Sequence, residues 1–221
     1  MKVLIIGADS ALSQAIMSDL GEKDIAYVAT SRRTDSNHYH LDVNHQQDIS
    51  PIIKEILQEH ADISHLIYTP AISADGISHR ITAEKWAHVF ATNLFGAVTV
   101  VNTMIPYFMK HKNGHIQLIA SSSSDKPELY SAAYSASKSA LVSYAKSIAQ
   151  EYARYGIIAY ALSPGFFSAG LISDEKRIKH IESRIPNGKI ASKEDVSKFA
   201  VQLLDTASYI NGSNIIFNGG M

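Results

Sequence analysis

Apolar residues in this chain recur in short runs, several rich in β-branched residues, separated by stretches of helical period. Val3 to Ile6, Ile25 to Ala29, Tyr39 to Val43, Ser64 to Thr69, His115 to Ala120, Ile157 to Leu162 and Asn214 to Phe217 read as strands. Between them lie helical patterns. The first runs from Ala11 to Leu20 and is closed by Gly21; an amphipathic one spans Ile49 to His60. A long pattern covers Thr82 to Lys110, with Pro106 predicting a bend or break near its end. An alanine-rich run carries Tyr134 through Tyr155 and is capped by Gly156. Ser192 is the expected N-cap, with Asp195 three positions on, of a helix through Leu204. Residues 170 to 190 are polar with some helical character, as in segments that cover a site. Strands alternate with helices throughout. That order predicts an α/β domain with right-handed crossovers and a parallel sheet covered on both faces.

Composition narrows the class without naming a function. At 221 residues the chain can bury a full core as one domain. Its formal net charge of −1 provides no broad field for nucleic acid or an anionic membrane. The chain has no cysteine, which excludes disulfides and thiol catalysis. The apolar start breaks at Gly7 and Asp9, too early for a signal peptide, and no uninterrupted apolar run approaches a membrane span. A cytoplasmic protein is the expectation. None of the ten histidines has ligand spacing for a metal, and all are expected at the surface.

The chemistry concentrates in two stretches. Tyr134 and Lys138 stand four apart on one helix face, where an ammonium is expected to lower the phenol pKa and make an acid/base pair. The strand before them ends in Ser121 to Ser124, and strand ends in open α/β sheets are where ligands bind. At the N-terminus a strand, a turn over Gly7-Ala8-Asp9-Ser10 and a helix form the opening of a dinucleotide-binding unit. Thr30-Ser31-Arg32-Arg33 follows the second strand. An acid there would bond a ribose 2′-hydroxyl, whereas these arginines favour a 2′-phosphate.

Taken together, the chain resembles the short-chain dehydrogenase/reductase family over nearly its full length. Ser121, thirteen positions before Tyr134, together with Lys138 and with Asn93 in Thr92-Asn93-Leu94-Phe95-Gly96, matches the family's catalytic tetrad. Leu41-Asp42-Val43, Ser163-Pro164-Gly165 and the segment Tyr209 to Gly220 match further motifs. Two motifs depart. The glycine-rich turn appears as Gly7, Ala11 and Ser13, and the asparagine-asparagine-alanine-glycine run as Tyr68-Thr69-Pro70-Ala71.

The resemblance implies a single Rossmann-like, doubly wound domain over residues 1–221 with about seven strands. It implies hydride transfer between a nicotinamide and a carbonyl or alcohol substrate. Tyr134 would act as general acid/base, Lys138 would stabilise the tyrosinate, Ser121 would hold the substrate oxygen and Asn93 would anchor a relay water. Cofactor contacts would fall on Gly7, Asp9, Ser10, Leu12, Ser31, Arg32, Arg33, Asp42, Val43, Thr69, Pro70, Ala71, Tyr134, Lys138, Pro164, Gly165 and Phe167. NADP(H) is expected over NAD(H), with Arg32 the main determinant and Arg33 secondary. A partly apolar substrate pocket is expected from Ile72, Ser122, Tyr130, Phe166 and Phe167. A homodimer or homotetramer is expected through the helices around 82–110 and 131–155, including Phe95, Val98, Leu141, Tyr144 and Tyr152. Two alternatives stay open. One is a non-catalytic nucleotide sensor on the same fold; the other is a nucleotide-sugar epimerase or dehydratase, which usually has a larger C-terminal domain.

Overall fold

The computed structural model describes residues 1–168, 175–205 and 208–221. The chain runs β1 (Lys2–Ile6), α1 (Ala11–Glu22), β2 (Ala26–Ser31), β3 (Tyr39–His40), α2 (Gln46–Glu59), β4 (His65–Tyr68), α3 (Ala83–Phe90), α4 (Gly96–His111) and β5 (Gly114–Ile119). It continues with α5 (Ala132–Tyr152), β6 (Ile157–Pro164), β7 (Phe167–Ser168), α6 (Glu175–Glu182), β8 (Ala191–Ser192), α7 (Lys193–Leu204) and β9 (Asn214–Phe217). Seven strands form one parallel sheet in the order β3-β2-β1-β4-β5-β6-β9; β7 and β8 form a separate pair. The order reverses between β1 and β4. That switch point opens a crevice at the strands' C-terminal ends.

Both faces of the sheet are covered, as the alternation predicts. On one, Ile53 and Ile56 of α2, Val100 and Phe108 of α4, and Leu141 and Ile148 of α5 pack with Leu4, Leu66 and Ile116. On the other, Ile16 and Leu20 of α1 and Val196 and Val201 of α7 pack with Val3, Ile5 and Ile67. A buried hydrogen bond from Ser197 to Asp19 ties α7 to α1. Ala83–His111 is long and apolar enough by length and composition to cross a bilayer. Its buried apolar side chains from Ala97 to Phe108, however, belong to this core.

Several boundaries differ from expectation. Helix α1 runs through Gly21 to Glu22, and Asp24 takes the left-handed conformation at φ 54°. The third strand stops at His40 because Asp42 Oδ1 accepts from the Asn44 amide at 2.9 Å, turning the chain. Pro106 lies inside α4 without breaking it. The interruption falls instead at a π-turn over Ala91–Phe95, where the Gly96 amide donates to Ala91 O, five residues back. Ser192 caps α7 as expected, its Oγ accepting from the Asp195 amide at 3.0 Å, and Asp195 accepts in return from the Ser192 amide at 2.9 Å, closing a capping box. Of the expected polar segment, residues 170–174 lie outside the described residues. Farther along it, Arg184 donates to Glu128 at 2.6 Å, joining it to the loop before α5.

Not all histidines are on the surface. His65 and His115 occupy paired positions on β4 and β5 with ring centroids 4.8 Å apart, and His115 is buried. Burial pushes their pKa values down, to about 4 for His65 and about 3 for His115, so both rings are neutral in the folded protein. No metal-binding group of three or more ligands occurs among the described residues.

Candidate active site

A cleft of about 710 Å³ opens at the sheet's switch point. One wall is the turn between β1 and α1. Gly7 turns the chain at φ +88°, and a Cβ there would stand 3.0 Å from both Pro70 Cγ and Thr69 Oγ1. Left-handed backbone and close approach together require glycine. Ser10 is the N-cap of α1 and accepts from the Ser13 amide at 3.0 Å. The amides of Ala11 and Leu12, which the helix ladder cannot use, belong to residues that line the cleft. A helix N-terminus at a glycine turn, beside a cleft of this size, fits the pyrophosphate of a dinucleotide.

The two departures from the family's motifs meet here. Ser13, standing where the third glycine would be, donates to Thr69 Oγ1 at 2.8 Å, and both residues are buried. Thr69 donates in turn to Ile6 O at 2.7 Å. The hydroxyl chain Ser10–Ser13–Thr69 therefore pins the helix start to the end of β4. Next along the chain, Tyr68 stands where the family has its first asparagine. It is fully buried and donates to Thr92 O at 2.6 Å within the π-turn. The phenol fits because Gly96 faces it; a Cβ there would lie 2.5 Å from the Tyr68 hydroxyl.

Helix α5 and the end of β5 form the opposite wall. Lys138 is buried, at 1% exposure, and its Nζ donates to Ile119 O at 2.7 Å. Burial pushes its pKa down to about 7. The ammonium lies 5.9 Å from the Tyr134 ring centroid. Tyr134 does not show the lowered pKa its sequence spacing suggests. Burial pushes the phenol above its ordinary range; the Ser121 hydroxyl pulls the other way, and the Asp75 charge adds to the rise. Desolvation thus outweighs the Ser121 hydrogen bond. Ser121 caps the turn after β5, accepting from the Ser123 amide at 3.1 Å while its hydroxyl faces Tyr134.

Asn93 does not line the cleft. Its amide closes a two-way bond with Ile72, accepting from the Ile72 amide at 2.8 Å and donating to Ile72 O at 2.9 Å. The second N–H reaches Ser137 Oγ at 2.9 Å. It clamps the loop after β4 to α5 from within the π-turn, a site where such turns often mark function.

Of the expected cofactor contacts, Gly7, Asp9, Ser10, Leu12, Arg32, Asp42, Val43, Thr69, Pro70, Ala71, Pro164, Gly165 and Phe167 line the cleft, together with Ser121, Tyr134 and Lys138. Ser31 and Arg33 do not. Ser31 is buried at the end of β2. Arg33, outside the cleft lining, makes a bidentate pair with Asp35 at 3.0 and 2.9 Å, which competes with its expected secondary role. Burial disfavours the Asp42 charge, but bonds from Asn44 and nearby His45 and Arg32 outweigh it and hold its pKa below the usual range.

Of the expected substrate pocket, Ile72 and Phe167 face the cleft. Phe166 lines a separate cavity of about 480 Å³, with Phe199 and Phe217. Tyr130 is exposed at φ 66°, its carbonyl accepting from the Gly76 amide at 2.8 Å. Ser122 belongs to neither cavity. Sequence reasoning missed Asn44, His88, Thr92 and Ala120 in the cleft wall. Thr92 and Ala120 sit beside motif residues and were open to inference from that adjacency.

Fold and site together define a nicotinamide-dependent oxidoreductase of the α/β class. The chain belongs to the short-chain dehydrogenase/reductase family: the family model described as enoyl-(acyl carrier protein) reductase matches residues 7–221. Members of this family are NAD(P)-dependent oxidoreductases acting on C=O and CH–OH groups, and this chain is an enzyme of that kind. It is 31% identical to a 3-oxoacyl-[acyl-carrier-protein] reductase FabG of Buchnera aphidicola, over 99% of this chain and 96% of that protein. It is 27% identical to an acetoacetyl-CoA reductase of an Acinetobacter species, over 81% of this chain and 74% of that protein. Among solved structures, ElxO with NADP bound superposes with a TM-score of 0.91 at 22% identity, covering 99% of this chain and 97% of that one.

Proposed function

We propose that the protein reduces the carbonyl of a small substrate with NADPH, using Tyr134 as proton donor. One observation carries the reading: Ser121, Tyr134 and Lys138 line the same cleft as the Gly7 turn and Arg32. NADPH, when bound, supplies the hydride that adds to the carbonyl carbon. The chain's own residues handle the oxygen. Ser121 holds it by hydrogen bond, and Tyr134 Oη gives it a proton as negative charge develops. The raised phenol pKa keeps that proton in place at neutral pH, which suits an acid in the reducing direction. The ammonium form of Lys138 stabilises the phenolate left behind. Asn93 acts from behind the wall by fixing Ile72 against α5.

Arg32 lines the cleft and makes no ion pair among the described residues, leaving it for a 2′-phosphate. The relatives named 3-oxoacyl-[acyl-carrier-protein] reductase and acetoacetyl-CoA reductase make 3-oxoacyl thioesters the first substrates to try. A cytoplasmic location and a homo-oligomer go with this reading. Phe95, half exposed on the α3–α4 rod, supports the second; Leu141, expected at that interface, is instead fully buried in the core.

The test is NADPH oxidation over 3-oxoacyl thioesters and simple ketones and aldehydes, with NADPH binding measured alongside. Saturable, NADPH-dependent reduction of one substrate class supports the reading. Tight NADPH binding without turnover on any of these carbonyls contradicts it.

A further inference from the structure

The sequence has no acid directly after β2, but the fold brings one to that place from another segment. Asp9, in the turn after β1, accepts a hydrogen bond from Ser31 Oγ at 2.8 Å. Ser31 is the last residue of β2 and is fully buried. Its hydroxyl also accepts from the Arg33 amide at 2.9 Å, so it is fixed between two partners. The Asp9 carboxylate is thereby held at the end of β2, where a nucleotide-binding unit meets the adenosine ribose. Asp9 is exposed and lines the cleft with Arg32.

The local charge is accordingly less positive than Arg32-Arg33 suggests. Arg33, outside the cleft lining, is paired with Asp35 on the exposed side and is also within the field of Asp9. Asp9 and Asp42 face the cleft against one arginine, Arg32. A 2′-phosphate gains the guanidinium of Arg32 and meets the carboxylate of Asp9. A free 2′-hydroxyl finds in Asp9 an acceptor of the kind that selects NAD(H) in such units.

We propose that Asp9 is a cofactor-selecting residue that opposes Arg32 and holds down the preference for NADPH over NADH. The proposal rests on the NADP(H)-dependent reading of this cleft. Asp9→Asn removes the charge but keeps an oxygen that can accept from Ser31; Asp9→Ser removes it with a different side chain. The experiment is titration of the purified protein with NADPH and with NADH, for wild type and both variants, at low and high salt. In both variants NADPH should bind roughly five- to tenfold tighter at low salt, the size of one screened charge contact. NADH should bind no tighter, and the gain should shrink as salt rises. An unchanged NADPH-to-NADH ratio, or weaker NADPH binding in both variants, overturns the assignment while leaving the cofactor reading intact. Failure of wild type to bind either dinucleotide overturns both.

Discussion

The two walls of the cleft are stabilised in different ways. On the α5 side, the motif residues stand at the family's spacing, and two of them are held by backbone carbonyls. Lys138 bonds Ile119 O, and Asn93 bonds Ile72 O. On the α1 side, the family's residues are replaced and side-chain hydroxyls carry the structure, from Ser10 through Ser13 to Thr69. The first wall buries an amine against one backbone carbonyl. The second is a local substitution in which two changes far apart in sequence make one buried bond. A motif can therefore be absent as a string and present as an arrangement.

The contrast can be broken first at Lys138. Lys138→Met should lower turnover by at least ~10²-fold, as for loss of an acid/base group's partner. It should also stabilise the cofactor-free protein, on the order of 4 kcal/mol at pH 7, because an amine with a native pKa of about 7 and an unfolded value of 10.5 is buried at a cost. Between those two values the unfolded chain binds a proton that the folded chain does not. Wild-type stability should therefore rise as pH increases from about 7 toward 10.5 relative to the variant. Chemical denaturation of both proteins at pH 7 and pH 9.5 measures this, and a stability difference independent of pH contradicts it.

Asn93→Ala tests the same wall through its scaffold. It removes the bonds to Ile72 and Ser137 and leaves buried groups unpaired, so stability should fall on the order of 2–3 kcal/mol. Thermal melting checks this. Turnover should fall with substrate affinity, since Ile72 lines the cleft.

The hydroxyl wall is sharpened by a double-mutant cycle. Ser13→Ala and Thr69→Val should each destabilise the protein modestly. Their coupling should be about 1 kcal/mol, because each side chain is the other's buried partner. Strict additivity in urea denaturation contradicts the pairing. Ser13→Gly, which restores the family residue, should not rescue stability while Thr69 is present.

Most of the fold was legible because buried parallel strands and amphipathic helices leave strong periodicities. The sheet, its two covered faces and the N-cap of α7 follow from them. The misreadings have local causes. Pro106 is a breaker by propensity, but the interruption falls over Ala91–Phe95, where Tyr68 takes the Thr92 carbonyl. Asp42 ends the third strand early by bonding the Asn44 amide. At the site, residues fixed by spacing were found: Ser121, Tyr134 and Lys138 converge as expected. Their electrostatics were not, because the Tyr134 pKa is set by burial, which i,i+4 spacing does not report. Asp35, two residues on, was within reach of an arginine by sequence and pairs with Arg33; that Asp9 reaches the end of β2 was not legible.

The central claim is that Tyr134 gives the proton in a carbonyl reduction whose cofactor binds across both walls. It is tested most directly by Tyr134→Phe, measured as NADPH turnover on a verified substrate alongside NADPH affinity by titration. The account predicts a turnover loss of at least ~10²-fold with affinity changed little, because the ring stays and only the hydroxyl goes. Near-wild-type turnover in the variant contradicts it.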